Sequence, residues 1–357
     1  MTDIQTLTSR IKKNCNISDA KFWGCYSLCG LLMRLRELYR AESGMRPYEK
    51  IPLGEIGKWI SEREELWKEL EEKDFMDIPV NGTLCKPFEI EKINGELEKK
   101  GLLYGAGYGL HMKPVFFLAD LISKRKIQGY DAYIAGREYV RDLSDYPAML
   151  QDRVIIARVE PAKLLLWQRL EEFRCGRAKC ALSFAFAGYG ITPDEEPSED
   201  LDRRVSEAAF SEVETYIYHE LGEAIEGDKI GDDWKSILTV LSSTRAEIFA
   251  RAVKDILSDT SENGMLRYII ENSKQGSLGF YIVFLSGMRK VVFPEVSDAF
   301  RMFTETGDWI YIEDARKAGY RRAAGYMERV LSLYKKYGPD REQFLHSMED
   351  TILAELL

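Results

Sequence analysis

Ile191-Thr-Pro-Asp-Glu-Glu-Pro-Ser-Glu-Asp200 is the stretch that divides this chain. It holds two prolines and five acids in ten residues. Prolines withhold backbone donors and carboxylates stay hydrated, so such a segment makes a poor core and a good linker. We therefore place a domain boundary over about 191–200, with an α+β domain over 1–192 and an all-α domain over 198–357.

Upstream, the first hundred residues read as helices. Ser18 is expected to cap a helix through Ala41, with Phe22, Cys25, Leu28, Cys29, Leu32, Leu35 and Tyr39 on its apolar side and Ser43-Gly44 as its stop. Ser61 and Glu64 match a capping box, although that helix could start near Leu53. From Gly101 the texture changes. Val115–Leu118, Tyr130–Ala135 and Arg153–Val159 are short β-branched or aromatic runs between turn residues, which predicts a small, mainly antiparallel sheet over about 102–159. Gly105, Gly107 and Gly109 lack dinucleotide-loop spacing and no helix follows them, so they read as a hairpin or bulge. Pro161 opens a further helix to Cys175.

Downstream of Ser198 everything reads as helix. Leu278–Phe293 is apolar on nearly every side and is expected to be one buried central helix, and Gly338-Pro339 ends the long helix from Asp308. The fold class is thus mainly α: an N-terminal α+β domain with a small antiparallel sheet, then a C-terminal all-α helical bundle.

Composition narrows the function classes. A chain of 357 residues with 45% hydrophobic and 31% charged residues can bury a sizeable core in two domains. Its net charge of -9 argues against a general nucleic-acid or anionic-membrane binder, both of which need a positive field. The longest apolar run, Leu278–Leu285, is far short of the ~20 residues of a spanning helix, and Met1–Gln5 opens no secretory signal. A soluble, cytoplasmic protein is expected, with a protein partner or a homo-oligomer left open. Cys25/Cys29 and Cys175/Cys180 form two pairs, but structural zinc sites use tighter spacing, so buried reduced thiols are the expected state.

The chemistry, if there is any, concentrates in Thr215-Tyr-Ile-Tyr-His-Glu-Leu-Gly-Glu-Ala224. On a helix Glu220 falls within the apolar face of Ala209, Val213, Tyr216, Ile217 and Ala224, where an ionised carboxylate needs a cation, a metal or donors. His219 and Glu223 stand four apart, within reach of one common atom. The pentad His219-Glu220-x-x-Glu223 resembles the zincin motif with its second histidine replaced by glutamate. That resemblance implies His219 and Glu223 as ligands of a divalent metal (zinc, iron or manganese) and Glu220 as the general base of a metal-assisted hydrolase. Five residues do not assign the chain to that family.

A third ligand is required. Glu247 is in range along the chain, yet Thr244-Arg-Ala-Glu247 is itself a capping box. The competing structural account is an ion-pair network in which Arg251 or Lys254 meets Glu220, and Arg251, Lys254, Asp255 and Asp259 form a charged cluster running into the loop up to Gly264. The alternative function is a non-catalytic helical binding module that presents a groove to a protein partner or small ligand; Trp234, Phe280, Tyr281 and Trp309 are aromatics that could line it, although most of them are expected to be core.

Overall fold

The computed structural model describes residues 4–174, 180–192, 194–338 and 340–356. Cys175 and Pro339, which enter the sequence argument, lie outside them. The chain forms two compact units, residues 1–168 with 196–213 (unit 1) and residues 169–195 with 214–357 (unit 2).

Unit 1 begins with three helices, α1 (Ile4–Phe22), α2 (Leu28–Ser43) and α3 (Leu53–Leu70). They meet through Ile17, Ala20, Leu35, Leu38, Trp67 and Leu70. Ser18 does not start a helix. It lies within α1, its hydroxyl donating to the Pro114 carbonyl, and the cap falls to Ser27, whose oxygen accepts from Gly30 N at 3.2 Å. The resulting break leaves Cys25 and Cys29 exposed, against the expectation of buried thiols, while Cys15 and Cys85 are buried. Likewise Ser61 sits inside α3, which starts at Leu53.

A hairpin follows, β1 (Ile78–Val80) and β2 (Thr83–Cys85), turned by Asn81 and Gly82, both at positive φ. Asn-Gly is the strongest short hairpin signal, and it interrupts with strands a stretch expected to be helical. Helix α4 (Ile90–Leu97) leads into the main sheet. Its strands are β3 (Leu102–Tyr108), β4 (Pro114–Ile127), β5 (Tyr130–Arg141), β6 (Ala148–Gln151) and β7 (Val154–Arg158).

The strand order is β3-β4-β5-β7-β6. Five strands make the sheet larger than the small one expected, and β5 pairs with β7 in parallel, so it is not wholly antiparallel. Side chains alternate across it as the pleat requires. Tyr104, Ala106, Phe116 and Leu118 face α1 and α4, while Leu103, Val115, Phe117 and Ala119 build the other layer with Tyr133 and Ile156. Gly105 is a strand residue, directly opposite Phe117; a Cβ there would lie 2.0 Å from the Phe117 ring, so glycine makes room for that ring rather than for a phosphate.

After β7 come α5 (Val159–Glu172), α6 (Cys180–Ala187) and the 32-residue α7 (Glu199–Ile230). The expected linker is exposed from Thr192 to Asp200 wherever it is described, apart from a half-buried Glu195, and Ser198 caps α7 by accepting from Leu201 N at 3.2 Å. It joins α6, assigned to unit 2, to the half of α7 assigned to unit 1. Composition identifies an exposed segment; it does not say which neighbours the flanking helices choose.

Unit 2 is helical: α8 (Asp233–Val240), α9 (Arg245–Thr260), α10 (Met265–Glu271), α11 (Gln275–Phe284), α12 (Met288–Val292), α13 (Glu295–Thr306), α14 (Ile310–Tyr337) and α15 (Arg341–Thr351). Its core joins Phe249, Val253 and Ile256 of α9 to Ile312, Ala323, Met327 and Val330 of α14. The expected helix Leu278–Phe293 is two helices, because the chain breaks at Leu285–Gly287, with Gly287 at φ 56°. Among the described residues no helix is long and apolar enough to cross a membrane.

Candidate functional site

Helices α7 and α9 touch where α7 has no side chain. A Cβ on Gly222 would lie 2.5 Å from the Ser258 carbonyl oxygen, so only glycine admits the end of α9 at this distance. One turn earlier on the same face, His219 is thereby set against the last turn of α9. Its Nδ1 is 2.6 Å from Asp259 Oδ1, and its Nε2 is 3.8 Å from Glu223 Oε1. Lys254 Nζ donates to Glu223 Oε2 at 2.9 Å. Arg289 NH1 stands 4.0 Å from Asp255.

The site has a sealed floor and a wet mouth. Asp259 keeps 3% of its side chain exposed, against 25% for His219 and Lys254 and 23% for Glu223. Around Asp259 the hydroxyls of Ser258 and Ser261 and the Tyr281 hydroxyl are buried without a hydrogen-bond partner among the described residues.

The charges are unbalanced. Glu220, Glu223, Asp255 and Asp259 face His219, Lys254 and the more distant Arg289. Burial works against charge on His219, but the Asp259 carboxylate, helped by Glu223 and Glu220, overrides it and lifts the imidazole from 6.5 to about 10. Burial, together with the repulsion of Glu223 and Asp255, pushes Glu220 up to about 7, against the pull of His219 and Lys254. Burial, Glu223 and Asp259 raise Asp255 to about 6. Glu223 goes the other way: despite burial, His219 and Lys254 hold it below its ordinary value. A fixed imidazolium beside a carboxyl that titrates near neutrality is the pairing of an acid with a base.

The sequence candidates are only partly brought together. His219, Glu220 and Glu223 share the site, but Lys254 meets Glu223 rather than Glu220. Arg251 pairs with Glu247 at 2.7 Å on the surface instead of with Asp255 or Glu220. Glu247 caps α9, accepting from Ser243 N at 2.7 Å, and is no third ligand. Among the described residues no three His, Cys, Asp or Glu side chains are disposed to hold one metal ion. Trp234, Phe280 and Tyr281 are buried core, as expected of most of these aromatics, and half-buried Trp309 packs on Phe303. His346 is exposed on α15 and pairs with Asp350 at 3.1 Å, away from this site. Tyr281 and Arg289 were not anticipated here, because each reaches the site from a separate helix.

A second ionic cluster, in unit 1, was missed altogether. Lys113 lies 3.0 Å from Asp19 and 3.3 Å from Asp142, all three about 1% exposed or less. Its ammonium also donates to Ser18 at 3.1 Å and Ser144 at 3.4 Å. Asp142 accepts from Phe116 N and Ser144 N, and Asp19 from Leu143 N. Burial and Asp142 raise Asp19 to about 6 even though Lys113 opposes them.

Comparison with known proteins gives a family and no activity. Residues 6–158 match the N-terminal domain, and residues 163–351 the C-terminal domain, of a family of unknown function, DUF6866. No curated protein and no solved structure matches the chain.

Proposed function

For this chain, which belongs to the DUF6866 family, we propose an acid–base catalytic site of hydrolase type between α7 and α9. His219 is the general acid and Glu220 the general base. The observation that carries the proposal is the 2.6 Å contact of His219 Nδ1 with the buried Asp259, which leaves Nε2 directed toward Glu223 and the wet mouth. A buried carboxylate on one ring nitrogen fixes tautomer and orientation and stabilises the imidazolium, which is what a transferable proton on the other nitrogen needs. Glu223 and Lys254 neutralise one another beside it, and Glu220 accepts protons near pH 7.

A panel of chromogenic esters, amides and phosphate esters tests the proposal with the wild-type chain and Glu220→Gln. Turnover that rises with pH through about 7, and is lost in the variant, is expected. Turnover indifferent to Glu220, or no turnover across the panel with folded protein, counts against it.

One distance favours a metal-assisted form of the same site. Two ligands of a single divalent cation, each about 2.0–2.2 Å from it, can stand 3.8 Å apart, as His219 Nε2 and Glu223 Oε1 do. Asp259 is then the carboxylate that orients the metal-bound imidazole. The imidazolium must first lose its proton and Lys254 must release Glu223, and only two protein ligands are in place. Elemental analysis of protein purified without a metal-affinity tag decides this form: stoichiometric zinc, iron or manganese supports it. Metal-free protein with unchanged stability in chelator ends it and leaves the acid–base proposal standing.

A further inference from the structure

We propose a second site, in unit 1: a groove of about 810 Å³ that takes a small zwitterionic ligand of peptide type, bearing one ammonium and one carboxylate. The groove is walled by the end of α2, by Arg137–Arg141 of β5, and by Glu160, Lys163 and Asp202. That volume lies within the roughly 300–1,000 Å³ of small-ligand pockets.

Its lining is a near-balanced mixture of charge, and most of it is already satisfied. Arg40 holds Glu37 at 2.9 Å, and Asp202 takes Lys163 at 2.8 Å and Arg46 at 3.0 Å. Two buried groups of opposite kind are left over. Glu138, 4% exposed, gives Oε1 to Arg158 Nε at 2.7 Å, while its Oε2, 3.9 Å from Arg141 Nε, accepts no hydrogen bond among the described residues. Arg40 uses both terminal nitrogens, on Glu37 and on the Glu49 carbonyl, but its Nε has no acceptor among the described residues.

One wall residue thus lacks a donor and another lacks an acceptor. Among the described residues exposed Arg137 rests on the Tyr139 ring at 5.7 Å without a salt bridge to a carboxylate, and Glu160 is attracted by Lys163 and Arg141 without a salt bridge to either. Burial and the neighbouring Glu138 raise the Glu160 pKa. A wholly anionic ligand meets Glu138 and Glu160 without a proton to offer; a wholly cationic one leaves Arg40 and Arg137 unanswered. A zwitterion serves both ends through charge-assisted hydrogen bonds.

Calorimetric titration of the full chain with trialanine, N-acetyl-trialanine and trialanine amide tests this by deleting one charge at a time. The zwitterion is expected to bind at least about tenfold tighter than either blocked form, the worth of one charge-assisted bond. Glu160→Gln and Arg137→Gln, both at the rim, should each weaken it several-fold without changing the melting temperature. Absence of binding at millimolar trialanine, equal binding of the blocked peptides, or rim variants without effect overturns the proposal. None of these outcomes bears on the α7–α9 site.

Discussion

Two of the ionic clusters in this protein, the one around Lys113 and the one around His219, are built to opposite rules. The one in unit 1 sets a single lysine between two aspartates, seals all three from water, and meets the spare carboxylate oxygens with backbone N–H groups of Phe116, Leu143 and Ser144. The one in unit 2 sets four carboxylates against His219 and Lys254, keeps about a quarter of most of those side chains wet, and leaves nearby hydroxyls of Ser258, Ser261 and Tyr281 without partners. A sealed, satisfied network holds helix to sheet. An open, acid-rich and under-satisfied one puts a carboxyl raised to about 7 beside an imidazole raised to about 10 at a wet mouth, an arrangement that chemistry requires and stability does not.

The comparison can be broken first at Lys113. Replacing it by methionine leaves Asp19 and Asp142 buried with no cation, and removing one member of a buried ion group costs about 3–5 kcal/mol. Urea unfolding of Lys113→Met should show a loss of that order. A loss under about 1 kcal/mol, the range of exposed pairs, would mean that water reaches the cluster and that the two sites differ less than their geometry says.

A smaller effect, with a pH signature, is expected at Asp259. The folded-state pKa of His219, about 10, lies above its ordinary 6.5. The stabilisation it reports is therefore fully present below about pH 6.5 and is lost as pH rises through 10. Asp259→Asn should cost about 1–3 kcal/mol at pH 6 and markedly less at pH 10.5. Imidazole titration by NMR, simplified by there being three histidines, should show the His219 pKa falling toward its ordinary value. An unshifted His219 in this variant would remove Asp259 as the group that charges it.

Much of this contrast was unreadable in the sequence, for reasons that differ by residue. His219, Glu220 and Glu223 were legible because helical period alone puts them together. Asp259 was visible as part of a charged run, but its place beside His219 depends on the close approach at Gly222, a tertiary fact. The Lys113 cluster draws on positions 19, 113 and 142, from a helix, a loop and a strand end, with no local pattern to reveal it. Two departures do carry a local signal: Asn81-Gly82 marks its hairpin, and Gly287 marks the break within the apolar run Leu278–Phe293.

The smallest expected effect is the most discriminating. Glu220 has no hydrogen-bond partner among the described residues, and burial raises its pKa from 4.5 to about 7. A carboxylate raised in this way binds its proton more tightly folded than unfolded. It imposes no penalty below about pH 4.5, and stability is lost as pH rises through about 7. Glu220→Gln keeps the shape and removes the charge. It should be close to neutral at pH 4.5 and should stabilise unit 2 at pH 8, by about 1 kcal/mol once the partial exposure of the group is allowed for. A side chain kept for packing has no reason to cost stability at the pH where it is charged, whereas a general base must carry that cost. Thermal unfolding of both proteins at the two pH values makes the measurement. A variant less stable than wild type at pH 8 would show that the ionised Glu220 is held by partners, making the unit 2 cluster a structural network like that of unit 1.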